Sequence, residues 1–377
     1  MMTPRFIKQR KTTKSVLCWD RLKARVHWIR MKSKAGPATI NDRIGRFTGM
    51  KTHITLLITL TFSVSTAMAE KAYTPREGTD PVNIQDAEFS YAYNNAQREV
   101  PLKLYSPEHQ AAALPVILFS HGLGGSRENS VYLGEHWARL GYVVVLMQHA
   151  GSDESVWKTT DRAKRLAKMK EAANYQNYMA RTADVQATLN QLETWNKKGE
   201  RLAGLLDLEH VGMSGHSFGA VTTQAVSGQA FGEFQKSPTD ARIDAALAMS
   251  PSTPAMGKPA DAFGSVAIPW LLMTGTKDRS IIRRTTPESR REVFIHLPDK
   301  TPDQFYELVF EGAEHMAFSD RTLRGAEHRN PQHHRAILAI STAFWDACLK
   351  GDETAVAWLN SDAVRKQLSE QDVWQKK

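Results

Sequence analysis

The stretch His210-Val211-Gly212-Met213-Ser214-Gly215-His216-Ser217-Phe218-Gly219-Ala220 holds the pattern Gly-x-Ser-x-Gly with Ser217 at its centre. Such a pattern arises by chance in about one chain in ten of this length, so its neighbours decide its meaning. An apolar β-like run, Val211–Met213, precedes it, and a helix-like run, Ala220–Ser227, follows it. A serine in a sharp strand-to-helix turn presents its hydroxyl at the sheet edge, and the flanking glycines let strand and helix approach with no Cβ between them. Taken alone, the pattern is also compatible with a glycine-rich turn and a bystander serine.

Working outward, the next element is Phe119-Ser120-His121-Gly122-Leu123-Gly124-Gly125, which follows the apolar run Val116–Phe119. Acyl transfer builds negative charge on a carbonyl oxygen, and glycines free a backbone to aim N–H groups at it. The expected oxyanion donors are the N–H groups of Leu123 and of Phe218, just after the serine. Downstream, Ile268–Asp278 reads as a strand ending in a turn and an acid, and Phe310–His315 as a strand ending in a histidine. The order serine, acid, histidine predicts that Asp278 holds His315 in the right tautomer and that His315 deprotonates Ser217. Asp299 and Asp303 are weaker rivals for the acid, as His328 and His334 are for the base. His149, Ser152 and Asp153 follow the run Tyr142–Met147 and either line the cleft or belong to a plain loop, with His149 and Ser152 as the candidate substrate-binding residues; His216 reads as structural.

The short apolar runs do not alternate with polar residues, which suits strands buried on both faces of a parallel sheet. They are Val116–Phe119, Tyr142–Met147, Val211–Met213, Ala245–Met249, Trp270–Met273 and Tyr306–Phe310. Helical candidates lie between and after them at Tyr132–Leu140, Tyr178–Asn196, Ala220–Ser227 and Pro331–Leu349, the last with proline at its first position. Ahead of them, Phe89–Tyr93 and Val100–Tyr105 alternate around Asn94-Asn95 as an antiparallel pair, after a loose lead-in over 70–85. The expected fold class is α/β, with a mostly parallel central sheet, helices on both faces and N-terminal antiparallel strands. Two insertions, Ser152–Asn177 and Arg279–Pro302, follow strand ends and are rich in Lys and Arg. They read either as solvated faces or as a lid or a patch for anionic substrate or lipid.

The chain carries 49 Lys and Arg against 40 Asp and Glu. That excess sits at one end. Residues 1–51 hold 14 basic and 2 acidic residues, while 70–377 hold 35 and 38. The net −3 of the main body gives no reason to expect nucleic-acid binding. Met50–Ala69 has a positive start at Lys51, an apolar stretch from Ile54 to Val64, and Ala67-Met68-Ala69 as a small-x-small site. It predicts a signal peptide cut after Ala69 and a periplasmic or secreted protein. Residues 1–49 then form a basic arm that is either upstream sequence or a long n-region, with peripheral membrane contact as the alternative. Residues 70–377 are expected to form one domain. Only Cys18 and Cys348 occur, and Cys348 falls in a helical apolar pattern as a packing residue. No phosphate-binding loop, dinucleotide motif or His/Glu cluster at metal spacing is present in the sequence, so no cofactor and no metal are expected.

These elements resemble the α/β-hydrolase superfamily. Phe119–Gly125 and Gly215–Ala220 are similar in particular to the branch containing platelet-activating-factor acetylhydrolases and bacterial proteins labelled predicted dienelactone hydrolases. The resemblance runs from about Phe89 to Phe344. It implies Ser217, Asp278 and His315 as a catalytic triad, with Leu123 and Phe218 as oxyanion donors. Dienelactone hydrolase proper uses a cysteine nucleophile, so Ser217 argues against that activity. The expectation is a secreted, metal-independent serine carboxylic-ester hydrolase acting through an acyl-enzyme on short-chain or acetyl esters, phospholipid-like ones included. A lipase or polyester hydrolase is the alternative within the fold, and a catalytically silent binding protein the alternative outside it. The partner is a small-molecule ester or lipid; the sequence does not give the oligomeric state.

Overall fold

The computed structural model describes residues 72–231, 237–280, 282, 285–299, 304–320 and 330–377. The basic arm, the expected signal peptide, Arg283, Arg284, Asp303 and His328 lie outside these residues. The chain divides into units 1–72 and 73–377, and the second is the α/β body.

Nine strands form one sheet in the order β1-β2-β4-β3-β5-β6-β7-β8-β9. β1 (Val82–Tyr93) and β2 (Ala96–Pro107) are an antiparallel hairpin. Asn94 and Asn95 both take positive φ, 49° and 62°, the geometry a two-residue hairpin turn requires. β1 starts at Val82, seven residues before the apolar alternation becomes visible. The first half of an edge strand faces solvent on most positions and carries little pattern, so the expected loose lead-in to residue 85 was too long by four residues.

β3 (Leu114–Ser120), β4 (Val143–Met147), β5 (Leu206–His216), β6 (Ile243–Met249), β7 (Trp270–Lys277) and β8 (Phe305–Glu314) pair in parallel. Their middles are buried throughout, which is why they read as unbroken apolar runs. β9 (Val373–Lys376) closes the sheet antiparallel to β8. The chain therefore has the α/β-hydrolase fold: a mostly parallel sheet between helices with antiparallel strands at its N-terminal side.

On one face pack α1 (Val131–Arg139), α8 (Pro331–Leu349) and α9 (Glu353–Leu359), through Trp137, Phe344, Trp345 and Trp358. On the other lie α4 (Tyr175–Trp195), α5 (Phe218–Val226), α6 (Pro259–Phe263) and α7 (Pro287–Ile295). The insertion after β4 is helical, with α2 (Ser155–Lys158), a 3₁₀ turn (Arg162–Lys164) and α3 (Arg165–Ala172). Cys348 is half-buried on α8 against the core, and burial pushes its thiol well above the ordinary range. Among the described residues no helix is long and apolar enough to cross a membrane.

The strand order reverses at β3, whose neighbours are β4 and β5. Loops leaving β3 and β5 diverge to opposite faces, which opens a crevice at the C-terminal ends of the strands.

Candidate active site

Each part of the site hangs from the end of a strand. Ser217 stands between β5 and α5 with φ 59° and ψ −114°, a left-handed conformation that a non-glycine residue holds only under constraint from its surroundings. A Cβ at Gly219 would lie 1.8 Å from the Ser120 carbonyl oxygen, and one at Gly215 would lie 2.5 Å from Gly219. Both positions exclude any side chain, so the motif packs α5 directly against β3 and β5.

β7 and β8 are parallel neighbours, and their ends carry Asp278 and His315. The approach is again backbone on backbone: a Cβ at Gly275 would sit 2.2 Å from the Ala313 carbonyl oxygen. His315 Nδ1 lies 2.7 Å from Asp278 Oδ1, and His315 Nε2 lies 2.8 Å from Ser217 Oγ. A carboxylate only accepts, so Nδ1 carries the proton and Nε2 is left to accept from the serine. Asp278 is fully buried. Burial alone would favour its neutral form, but His315, Arg290 and a hydrogen bond from Ser250 outweigh it and hold the carboxyl at about 2. Thr274 adds a second hydroxyl donor to the same oxygen as Ser250.

Arg290 was not singled out by the sequence. It was one of several basic residues of an insertion that could be a solvated face. Instead α7 turns it inward, 1% exposed, with Nε 2.9 Å from Asp278 Oδ1. Its other N–H groups reach the carbonyls of Ser250 and Pro251 and the hydroxyl of Thr285. Nothing local separates Arg290 from Arg291, which pairs with Glu307 at the surface side.

His216 is largely buried in the cavity wall beside Ser217 and donates to the His315 carbonyl at 2.9 Å. Burial, then the neighbouring His315, push it down to about 3, so it stays neutral. His334 stacks on Tyr132 and contacts the Ala317 carbonyl, which gives it a packing place near the loop after His315. Asp299 is exposed and pairs with Lys377. Neither rival approaches the serine.

A cavity of about 600 Å³ opens over Ser217 and His315. Gly122, Leu123 and Phe218 line it beside the serine. Trp157, Arg165, Leu166, Met169 and Ala173 come from the first insertion, and Arg279, Ser280, Ile282 and Thr285 from the second. Both insertions thus form walls over the strand ends, as an α/β site requires. His149 and Ser152 are a correction: neither lines the cavity. Both are fully buried beneath the Ser120–Gly125 loop, because the turn after β4 tucks inward before the chain emerges as α2. Among the described residues, the Leu123 and Phe218 N–H groups have no acceptor. The Phe218 N–H also lies in the first turn of α5, where the helix dipole favours negative charge. Among the described residues no group of three or more His, Cys, Asp or Glu is placed to hold a metal ion.

Chemically, the arrangement offers a hydroxyl aimed at a base, a base oriented by an ionised acid, and two free N–H donors beside them. That is the set needed for acyl transfer. Residues 83–199 match the family model described as Platelet-activating factor acetylhydrolase, isoform II. This agrees with the resemblance read from the sequence, and it supports a hydrolase acting on esters. The match covers β1 to the end of α4, including the Ser120–Gly125 loop. Ser217, Asp278 and His315 lie beyond it, so their roles rest on geometry. Comparison with curated proteins gives no match.

Proposed function

We propose that the protein is a serine ester hydrolase that works through an acyl-enzyme on short-chain or acetyl esters. The observation that carries this reading is the continuous chain Ser217 Oγ, His315 Nε2, His315 Nδ1, Asp278 Oδ1, with both links under 3 Å. Ser217 Oγ attacks the ester carbonyl carbon while its proton passes to His315 Nε2. The carbonyl electron pair moves onto oxygen, where the N–H groups of Leu123 and Phe218 hold it. Collapse expels the alcohol, which takes the proton from His315. Water, deprotonated by the same nitrogen, then attacks the acyl-enzyme and frees Ser217.

Fluorophosphonate labelling tests the reading. The label attaches at Ser217, and Ser217→Ala and His315→Ala each lose about four orders of magnitude or more in kcat for p-nitrophenyl acetate. Labelling elsewhere, or activity surviving in Ser217→Ala, refutes it, and a chain that never labels is a binding protein. The apolar walls from Trp157, Leu166, Met169 and Ile282 favour a second reading, a lipase or polyester hydrolase. A series of p-nitrophenyl esters separates the two, since a maximum beyond about ten carbons belongs to the second. Export completes the proposal: the mature chain begins near Glu70, as N-terminal sequencing of the exported protein would report, and the substrate is met outside the cytoplasm.

A further inference from the structure

Behind the Ser120–Gly125 loop lies a second serine–histidine–aspartate chain that the reaction above does not use. Ser120 Oγ is 2.8 Å from His149 Nε2, and His149 Nδ1 is 2.9 Å from Asp184 Oδ2. All three residues are fully buried, so this serine meets no substrate. Arg181, equally buried, donates to Ser120 Oγ and to the His121 carbonyl through one nitrogen, to Ser152 Oγ through a second and to Thr222 Oγ1 through the third. Asp184 is held in turn by Arg98 Nε and Nη2 and by the Tyr91 hydroxyl, from the β1–β2 hairpin.

The polarity of this network is fixed. The Asp184 carboxylate only accepts, so His149 Nδ1 carries the ring hydrogen and donates to it. Nε2 of the neutral ring then accepts, and Ser120 Oγ, which accepts from Arg181, gives its own proton to it. The His149 backbone N–H donates to His121 Nε2 at 3.1 Å, which leaves the His121 proton on Nδ1, and that nitrogen donates to the Gly122 carbonyl at 2.6 Å. The Gly125 N–H donates to the same carbonyl. In a trans peptide the C=O and the following N–H point in opposite directions. With Gly122 C=O bound on the inner side, the Leu123 N–H faces the cavity side, where a Cβ on Gly122 would touch the Ser217 side chain at 3.5 Å.

We infer that Ser120, His149, Arg181 and Asp184 are positioning residues that lock the Gly122–Leu123 peptide so that the Leu123 N–H is presented to the oxyanion. The inference rests on the ester-hydrolase reading. Burial and the nearby Arg181 also push His149 down to about 4, which keeps it the neutral relay the network needs at neutral pH.

The test compares an ester with its thiono analogue, in which sulfur replaces the carbonyl oxygen. An intact oxyanion hole favours the oxygen ester, because sulfur is a larger and weaker acceptor. In Asp184→Asn and Ser120→Ala the hydrolysis of p-nitrophenyl acetate is expected to fall about 10²-fold in kcat, within the range for loss of an oxyanion donor. KM should stay within about threefold, and the oxygen-to-sulfur rate ratio should drop about tenfold. Fluorophosphonate should still label Ser217 and never Ser120. If both rates fall in parallel with the ratio unchanged, or neither falls, the network is only structural and the inference is overturned. Ser120→Ala removes a single oxygen and keeps the test open if Asp184→Asn does not fold. A wild-type chain that neither hydrolyses esters nor labels overturns the ester-hydrolase reading, and this inference with it.

Discussion

Mild acid should unfold this protein earlier than its carboxylates alone would allow, because three buried histidines are held neutral. His136 and His149 are pushed down to about 4 and His216 to about 3, each mainly by burial. Arg139 adds to this at His136, Arg181 at His149 and His315 at His216. In the unfolded chain each returns to about 6.5 and takes up a proton that the folded chain refuses. Their contribution is complete above pH 6.5 and is lost as the pH falls towards 4 and 3. Between pH 7 and 5.5 each costs about 1.2 kcal/mol, so the three together remove nearly 4 kcal/mol, a large share of an ordinary folding free energy. His333 shifts in the same direction, whereas Glu307, whose burial raises its carboxyl, gains stability on acidification and subtracts from the effect. Asp278 stays out of this window, since its contribution is lost only below its unfolded value of 3.8, as the pH falls towards 2. Urea unfolding followed by tryptophan fluorescence at pH 7.0 and 5.5 measures the difference, and His149→Gln should reduce it by about a third. Equal unfolding free energies at the two pH values would refute the burial argument.

Gly219→Ala should lose more than about 4 kcal/mol or fail to fold, since its Cβ would fall 1.8 Å from a β3 backbone oxygen that cannot give way; Gly212→Ala, whose Cβ would meet side-chain rather than backbone atoms, Trp345 at 2.8 Å and Leu349 at 3.1 Å, should cost less in the same denaturation assay. Arg290→Met leaves the buried carbonyls of Ser250, Pro251 and Asp278 without a donor and takes away the buried charge that faces the Asp278 carboxylate. It should cost about 3–5 kcal/mol, read as a fall in Tm of roughly 10 °C. Ala173→Phe adds bulk to the cavity wall contributed by the first insertion; octanoate hydrolysis should fall about tenfold while acetate hydrolysis holds, and parallel losses would mean that chains do not lie there.

Most of the parallel sheet was legible because strands buried on both faces leave uninterrupted apolar runs. The edges were not. β9 has four residues and no pattern, and it exists through its pairing with β8. The first turns of β1 are solvent-facing and look like linker. Ser217, Asp278 and His315 could be read because each follows a recognisable strand, and strand ends are where this architecture gathers chemistry. Arg290 could not, because Arg290-Arg291 within a helix has the texture of a surface. The Tyr91–Arg98–His149–Asp184 cluster spans up to 93 residues of chain, so no local spacing announces it. That is also why the sequence could offer His149 and Ser152 only as candidates for the cleft, whereas both lie buried behind the Ser120–Gly125 loop.

The placement of Cys348 has a practical corollary. Half-buried against the core, with burial pushing its thiol up, it should react slowly with maleimides, and the sequence contains just one other cysteine, Cys18. With Cys18→Ser in place, a cysteine at the exposed Leu166 on α3 becomes the single address for a fluorophore. Its emission would follow in real time whether the wall beside Ser217 moves when p-nitrophenyl acetate is added.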